Sequence, residues 1–268
     1  MERHAISVAT RPCTACLTPV SRVYGKSRSA SCYDHKPVVS GVLPKLLATG
    51  YTEELSRYVY LHGFASSPLS RKAQFFRSHL AELGIALEIP PMDEGDFEHL
   101  TISRQVDLVA RTLAGAAAVL IGSSMGGYVA ALYASMHPEI QRIVLMAPAF
   151  GFGSRWVETF GEQAVREWRE RGYTDVYHYG VAERRRLSAD LLYDAARHPE
   201  FPRCSQPALV FHGVSDAIVP AEASRRWVRE NPHSKLVELE SDHELLNALD
   251  AIWQHSTGFL RSSAMLKG

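Results

Sequence analysis

A serine bracketed by glycines is the first feature of this sequence that could do chemistry. Residues 122–126 read GSSMG, which fits the pattern G-x-S-x-G with Ser124 at its centre. In that pattern the serine lies on a strained turn between a strand and a helix, and its hydroxyl is exposed above a sheet. Gly122, Gly126 and Gly127 would give the backbone the room that such a turn needs. The pattern predicts a nucleophilic Ser124, although a pentapeptide of this kind also occurs by chance in ordinary loops.

A serine hydroxyl is a weak nucleophile, so it needs a histidine base and a carboxylate that orients the histidine. Two such residues follow later strand-like runs, in the order serine, acid, histidine. Asp216 comes after the apolar run at 208–213, and His243 comes after the alternating run at 235–240. Asp242 is a rival acid, but a side chain next to the base in sequence tends to point elsewhere. We therefore predict a catalytic triad of Ser124, Asp216 and His243.

The chain holds 12 histidines, so the choice of His243 depends on position. His62 and His212 each precede a glycine at the end of a strand-like run, where a histidine that stabilises a turn by hydrogen bonding is expected. Four others fall on predicted helices or in the charged segment at about 150–202, and we expect them to be surface residues: His137, His178, His198 and His255.

Acyl transfer also requires two N–H donors for the oxyanion of the tetrahedral intermediate. Met125 would begin the helix after Ser124, where free N–H groups and the helix dipole favour negative charge. The second donor is expected in the segment LHGF at 61–64, as the N–H of Phe64. The sequence predicts an oxyanion hole formed by Phe64 and Met125.

The elements around these residues alternate between strands and helices. Apolar or β-rich runs predict six strands, at 58–64, 85–89, 118–121, 140–146, 208–213 and 235–240. Amphipathic runs predict helices between them, at 73–83, 102–113, 221–230 and 245–260 and directly after Ser124. This order is typical of an α/β protein with a doubly wound, mostly parallel sheet and a site at the carboxyl ends of the strands.

One connection is longer than parallel strands usually need. From about residue 150 to residue 202 the sequence is charged and aromatic, and we interpret it as an inserted helical lid. Arg184, Arg185 and Arg186 would suit a phosphate or coenzyme A, but nearby acids almost cancel their charge. A solvated helix face is the favoured interpretation.

The first fifty residues differ from the rest, because they are basic and have no sustained periodicity. We expect a disordered extension at 1–50 and a catalytic domain at 51–268. The spacing of Cys13, Cys16, Cys32 and His35 is compatible with a zinc site, but the usual knuckle residues are missing. An organellar transit peptide is a third interpretation of this stretch.

The composition of the chain limits the kinds of partner that the protein is expected to bind. A chain of 268 residues with 46% hydrophobic content can bury one full core. Its 29 basic and 29 acidic residues balance, which argues against nucleic acid and anionic lipid as partners. No apolar run approaches the roughly 20 residues of a membrane span. The four cysteines and the lack of a secretory signal suggest a cytoplasmic location.

Taken together, these motifs resemble the α/β-hydrolase superfamily, and most closely its small bacterial esterase-like branch. The resemblance runs from about Tyr58 to Leu260. It implies a serine hydrolase without metal or other cofactor, which acts on the carboxylic ester or thioester of a small or acyl-chain substrate through an acyl-enzyme. An amide or peptide hydrolase and a non-catalytic ligand-binding module are the alternatives. The sequence departs from the superfamily in lacking evident amino-terminal antiparallel strands and a His-Gly-Gly-Gly segment, and it leaves the oligomeric state open.

Overall fold

The structure is a computed structural model that describes residues 56–261. The predictions of a disordered or targeting extension at 1–50, and of a zinc site at Cys13, Cys16, Cys32 and His35, lie outside the described residues. Within residues 56–261, no helix has the length and apolar character that a membrane crossing needs.

Eight strands and eight α-helices make up the described part of the chain. The strands are β1 (Arg57–Leu61), β2 (Leu87–Glu88), β3 (Ala118–Ser123), β4 (Ile140–Met146), β5 (Tyr173–His178), β6 (Glu183–Ser188), β7 (Ala208–Gly213) and β8 (Ser234–Leu239). The helices are α1 (Arg71–Glu82), α2 (Ile102–Leu113), α3 (Met125–Met136), α4 (Trp156–Phe160), α5 (Glu162–Arg171), α6 (Asp190–Ala195), α7 (Ala221–Glu230) and α8 (Leu249–Arg261). A short 3₁₀ turn (Leu246–Ala248) precedes α8.

Six strands form one parallel sheet in the order β2-β1-β3-β4-β7-β8. Alternate side chains of each strand face opposite sides of this sheet. Leu120 packs in the core on the side of α2 and α3, whereas Val119 and Ile121 pack on the side of α1 and α8. Because both faces are covered by helices, the sheet is doubly wound and its central strands β3 and β4 are mostly apolar. The predicted fold class and its six strands are confirmed.

The register of the sheet brings the carboxyl ends of its strands to one edge. Leu61 at the end of β1 pairs with Gly122, which pairs in turn with Leu145 of β4. Gly213 at the end of β7 pairs with Leu239 at the end of β8. Three connections therefore leave this edge beside the serine: the β1 loop (residues 62–70), the β7 loop (residues 214–220) and the β8 loop (residues 240–245).

The insert between β4 and β7 is only partly helical. It contains α4, α5 and α6, but β5 and β6 pair as an antiparallel hairpin, which we call the inserted hairpin. The prediction of a helical segment is therefore wrong for residues 173–188. Gly172 has a φ of +78° and ends α5, and the β-prone residues that follow, including Val176 and Tyr177, continue as a strand. Arg184, Arg185 and Arg186 are solvated, as expected, but on a strand rather than a helix.

The central position of β3 gives a direct test of the core. Leu120 is fully buried, so Leu120→Ala removes apolar contacts and leaves a cavity that costs about 2 to 5 kcal/mol. Leu69, with 77% of its surface exposed, provides the matched control, and Leu69→Ala should change stability by less than about 0.5 kcal/mol. Denaturant unfolding of both variants measures the difference. Equal losses would contradict the assignment of β3 to the core.

Candidate active site

Ser124 lies at a sharp turn between β3 and α3. Its φ of 54° and ψ of −120° are unusual for a residue with a side chain, and such a conformation costs on the order of 1–3 kcal/mol. The Ser124 N–H donates to the carbonyl of Met146 at 2.9 Å, and the Ser124 carbonyl accepts from Tyr128 and Ala149 at 3.0 Å each. These bonds to β4, α3 and the chain after β4 hold the strained turn in place.

The glycines of this turn are required for space. A Cβ at Gly122 would overlap the backbone of Gly126, and a Cβ at Gly126 would overlap the carbonyl of Leu61. At Gly127 a Cβ would lie 3.1 Å from the Cβ of Pro148, which is also tight. We call residues 122–127 the elbow. Its backbone is packed directly against the end of β1.

The structure brings the three predicted triad residues together from the ends of three strands. His243 Nε2 lies 3.0 Å from Ser124 Oγ, and His243 Nδ1 lies 2.7 Å from Asp216 Oδ2. His243 is 8% exposed, and the Asp216 side chain is fully buried. With the imidazole proton on Nδ1 donated to the carboxylate, Nε2 can accept the proton of the serine hydroxyl. The arrangement is the one that the sequence predicts for a nucleophile, a base and an orienting acid.

Asp216 is fixed by four hydrogen-bond donors. Its Oδ1 accepts the N–H groups of Ile218 and Val219, both at 2.8 Å, and its Oδ2 lies 3.2 Å from His212 Nε2 as well as next to His243. Burial alone would raise the pKa of Asp216, but the hydrogen bonds from His212, His243 and Val219 outweigh it and hold this pKa well below its usual range. The Asp216 carboxylate is therefore charged near neutral pH.

His212 has a larger role in the site than its sequence position indicates. It contacts the Val219 carbonyl at 2.8 Å, which agrees with the predicted turn-stabilising function, and Ser224 Oγ at 2.7 Å. Its contact with Asp216 was missed by the sequence reasoning. The four-residue spacing between His212 and Asp216 around one strand end was the available signal.

Asp242, the rival acid, does not face His243. Its Oδ1 accepts the N–H groups of Glu244 at 3.0 Å and Leu245 at 3.2 Å. It thus caps the β8 loop in which His243 lies, and it leaves the imidazole to Asp216.

The β1 loop passes beside the serine. A Cβ at Gly63 would lie 3.2 Å from Ser124 Cβ and 3.9 Å from Ser124 Oγ. No described residue accepts a hydrogen bond from the N–H of Phe64 or from that of Met125. Phe64 and Met125 directly follow Gly63 and Ser124, which lie side by side, and the N–H groups of both predicted oxyanion donors are unused within the described part of the chain.

His62 fixes the peptide that carries the Phe64 N–H. Its Nε2 accepts the N–H of Met92 at 3.1 Å, and its Nδ1 lies 3.0 Å from the Gly63 carbonyl. Burial lowers the pKa of His62, which favours the neutral ring that this donor–acceptor pattern needs. In a trans peptide the carbonyl and the N–H point in opposite directions. A hydrogen bond to the Gly63 carbonyl therefore fixes the direction of the Phe64 N–H.

The prediction that His178 is a surface residue is wrong. His178 is only 3% exposed, because the turn of the inserted hairpin lies on the β1 loop. The other three histidines expected at the surface are exposed or half-buried: His137, His198 and His255. Nothing in the local sequence of His178 shows this contact, which joins residues more than a hundred positions apart.

A concave surface on the described part of the chain is separate from the triad. A groove of about 330 Å³ lies between the insert and the start of α7, lined by residues that include Phe150, Arg155, Phe201 and Arg226. Ser124 and His243 do not line it. Among residues 56–261, no group of three or more histidine, cysteine, aspartate or glutamate side chains could hold a metal.

Comparison with known proteins identifies the fold. Est1E from Butyrivibrio proteoclasticus, solved with ferulic acid bound, is 21% identical with a TM-score of 0.66, over 78% of this chain and 89% of that chain. Mouse alpha/beta hydrolase domain-containing protein 10 is 18% identical with a TM-score of 0.65, over 77% and 90%. A monoacylglycerol lipase from Paleococcus ferrophilus is 19% identical with a TM-score of 0.62, over 77% and 94%. The fold is that of the α/β hydrolases.

At the level of sequence, residues 57–258 match the family described as "Uncharacterised protein family (UPF0227)". No curated protein matches the chain. The family match spans the whole sheet and all three residues of the predicted triad.

The close packing of the elbow predicts a strict requirement for glycine at position 126. In Gly126→Ala the new methyl group would overlap the carbonyl group of Leu61, so the substitution should destabilise the protein by about 1 to 3 kcal/mol. Gly258→Ala in α8 is the matched control, because a Cβ there meets no atom within 4 Å. It should be neutral or stabilise the protein by up to about 1 kcal/mol. Thermal unfolding of the two variants measures both, and a neutral Gly126→Ala would refute the packing described for the elbow.

Proposed function

The chain belongs to the UPF0227 family and has an α/β-hydrolase fold, and we propose that it is a serine hydrolase that cleaves the carboxylic ester or thioester of a small or acyl-chain substrate. The observation that carries the proposal is the hydrogen-bonded chain from Ser124 through His243 to Asp216. Such a chain activates a hydroxyl that is otherwise a weak nucleophile near neutral pH.

In the first half of the reaction, Ser124 Oγ attacks the carbonyl carbon of the substrate while His243 Nε2 takes the hydroxyl proton. The negative charge of Asp216 stabilises the imidazolium that forms. The carbonyl oxygen becomes an oxyanion, which the N–H groups of Phe64 and Met125 stabilise. Each such donor is worth about 10²- to 10³-fold in rate.

The tetrahedral intermediate collapses when the bond to the leaving alcohol or thiol breaks and His243 returns its proton to that group. The acyl group is then bound as an ester to Ser124. In the second half, His243 removes a proton from water, the water attacks the acyl carbon, and Ser124 leaves with the proton from His243. The acid product is released, and no cofactor takes part in any step.

Two other functions would use the same fold. An amide or peptide hydrolase would use the same triad but would expel an amine, and one structural neighbour of this chain is instead named as a lipase, which acts on esters. A ligand-binding module without catalysis would have no need of the strained Ser124 or of its contact with His243. These observations favour the ester or thioester hydrolase.

A fluorophosphonate probe tests the proposal, because it forms a stable adduct only with an activated serine. We expect the wild-type protein to be labelled and Ser124→Ala to be unlabelled. The matched control is Ser123→Ala, which removes the neighbouring hydroxyl from the end of β3 and should leave labelling intact. In-gel fluorescence measures all three. Equal labelling of the wild type and Ser124→Ala, or no labelling of either protein, would contradict the proposal.

The same preparations separate the bond types. A panel of acyl esters, acyl thioesters and aminoacyl amides of matched acyl groups should give higher kcat/KM values for the esters or thioesters. Turnover confined to the amides would assign the runner-up function instead.

A further inference from the structure

The tip of the inserted hairpin, residues 178–182, lies directly on the β1 loop. The N–H groups of Tyr179 and Gly180 both donate to the carbonyl of Ala65, at 2.8 and 3.3 Å. Ala65 follows Phe64 and has a φ of +50°, which is unfavourable for a residue other than glycine. Two donors on the Ala65 carbonyl help to hold this strained backbone in place.

Gly180 shows how close the two segments are. A Cβ at this position would lie 2.8 Å from the Cβ of Ser67 and 3.0 Å from the carbonyl oxygen of Ser66. Atoms at these separations overlap, so only a glycine fits between the hairpin turn and the loop. The tip is therefore seated against the β1 loop without intervening solvent.

His178 connects the tip to Phe64 through aromatic packing. Its ring meets that of Phe97 edge to face, with centroids 4.7 Å apart at 80°. Phe97 in turn packs on the ring of Phe64, with centroids 5.5 Å apart. The position of Phe64 thus depends on a row of three rings that begins in the insert.

A series of polar contacts connects His178 to the peptide between Gly63 and Phe64. Its Nε2 lies 3.5 Å from Asp93 Oδ2. Asp93 follows Met92, whose N–H donates to His62, and His62 holds the Gly63 carbonyl. Packing and polar contacts from His178 therefore converge on the peptide between Gly63 and Phe64.

Stability alone does not explain an imidazole at position 178. His178 Nδ1 and Gln105 Oε1 are buried and have no hydrogen-bond partner among the described residues. Both side chains line a cavity of about 10 Å³ together with Phe64. A buried polar atom without a partner costs about 1 to 3 kcal/mol, which a leucine at position 178 would avoid.

We propose that the hairpin tip is a fixed brace for the β1 loop rather than a mobile lid, and that His178 is the positioning residue through which it holds the Phe64 N–H. The inference rests on the proposed function, in which that N–H stabilises the oxyanion. Because the oxyanion exists only near the transition state, loss of the brace lowers kcat and leaves KM almost unchanged.

Substitutions at position 178 test the brace in the full-length protein with an ester that the wild type hydrolyses. His178→Leu fills the space but removes the contact with Asp93, so kcat should fall about 10- to 100-fold, since a small displacement of a catalytic group has effects of this size. KM should stay within about threefold of the wild-type value. His178→Gln keeps an N–H donor within reach of Asp93 but lacks the ring that packs on Phe97, so its kcat should lie between the values of His178→Leu and the wild type.

His198 supplies a matched control. Its Nε2 is also 3.5 Å from an aspartate oxygen, that of Asp194, and it also lies in the insert, but it contacts Ser103 of α2 instead of the β1 loop. His198→Leu should leave kcat unchanged. If His178→Leu and His198→Leu lowered kcat equally, or if His178→Leu raised KM alone, the brace would be overturned.

Thermal unfolding separates positioning from folding. His178→Leu should melt at the wild-type temperature or above it, because the unpaired Nδ1 is gone. If this variant does not fold, Gly180→Ala decides, since its methyl group pushes the tip away from Ser66 and Ser67. A lower kcat at constant KM then supports the brace, and a wild-type kcat overturns it.

A wild-type protein without probe labelling or esterase activity overturns both the function and the brace, whereas an active wild type with an equally active His178→Leu overturns the brace alone.

Discussion

The arrangement of the whole site depends on one close contact of backbone with backbone. Gly122 and Gly126 let the elbow pack against itself and against the carbonyl of Leu61, at distances that no side chain permits. This contact fixes Ser124 relative to the end of β1, and so relative to the β1 loop. The Ser124 hydroxyl and the N–H of Phe64 are therefore placed by the same few atoms, beside the strand β3, which is buried on both faces. Rigid placement of this kind is what stabilisation of a transition state requires.

Buried histidines fix the loops around this contact. His62 fixes the β1 loop through the Gly63 carbonyl, His212 fixes the β7 loop through Val219 and Asp216, and His243 joins the β8 loop to Ser124. An imidazole has two ring nitrogens that can each meet a different partner, which suits His62, His212 and His243 to join loops at the ends of neighbouring strands. The inserted hairpin adds His178, which contacts Asp93 through Nε2 alone among the described residues. The site is thus built from loops that are individually irregular but are joined by short polar contacts.

Much of this could be predicted from the sequence, and the failures have a common physical cause. The six strands of the sheet, most helices and the grouping of Ser124, Asp216 and His243 follow from periodicity, from turn chemistry and from the rule that parallel strands end at one edge. The inserted hairpin was missed because its charged strand, with Arg184 to Arg186, lacks the apolar alternation of a half-buried strand. The burial of His178 was missed because it depends on a contact with the β1 loop, far away in sequence. Local patterns carry no information about such a contact.

Acid-quenched mass spectrometry during turnover tests the catalytic assignment most directly. With an activated ester that gives a burst of alcohol release, the intact protein should gain the mass of one acyl group, and peptide mapping should locate that group on Ser124. Ser124→Ala should show neither burst nor adduct. A burst without an adduct on Ser124, or an acyl group attached to another residue, would contradict the assignment of Ser124 as the nucleophile.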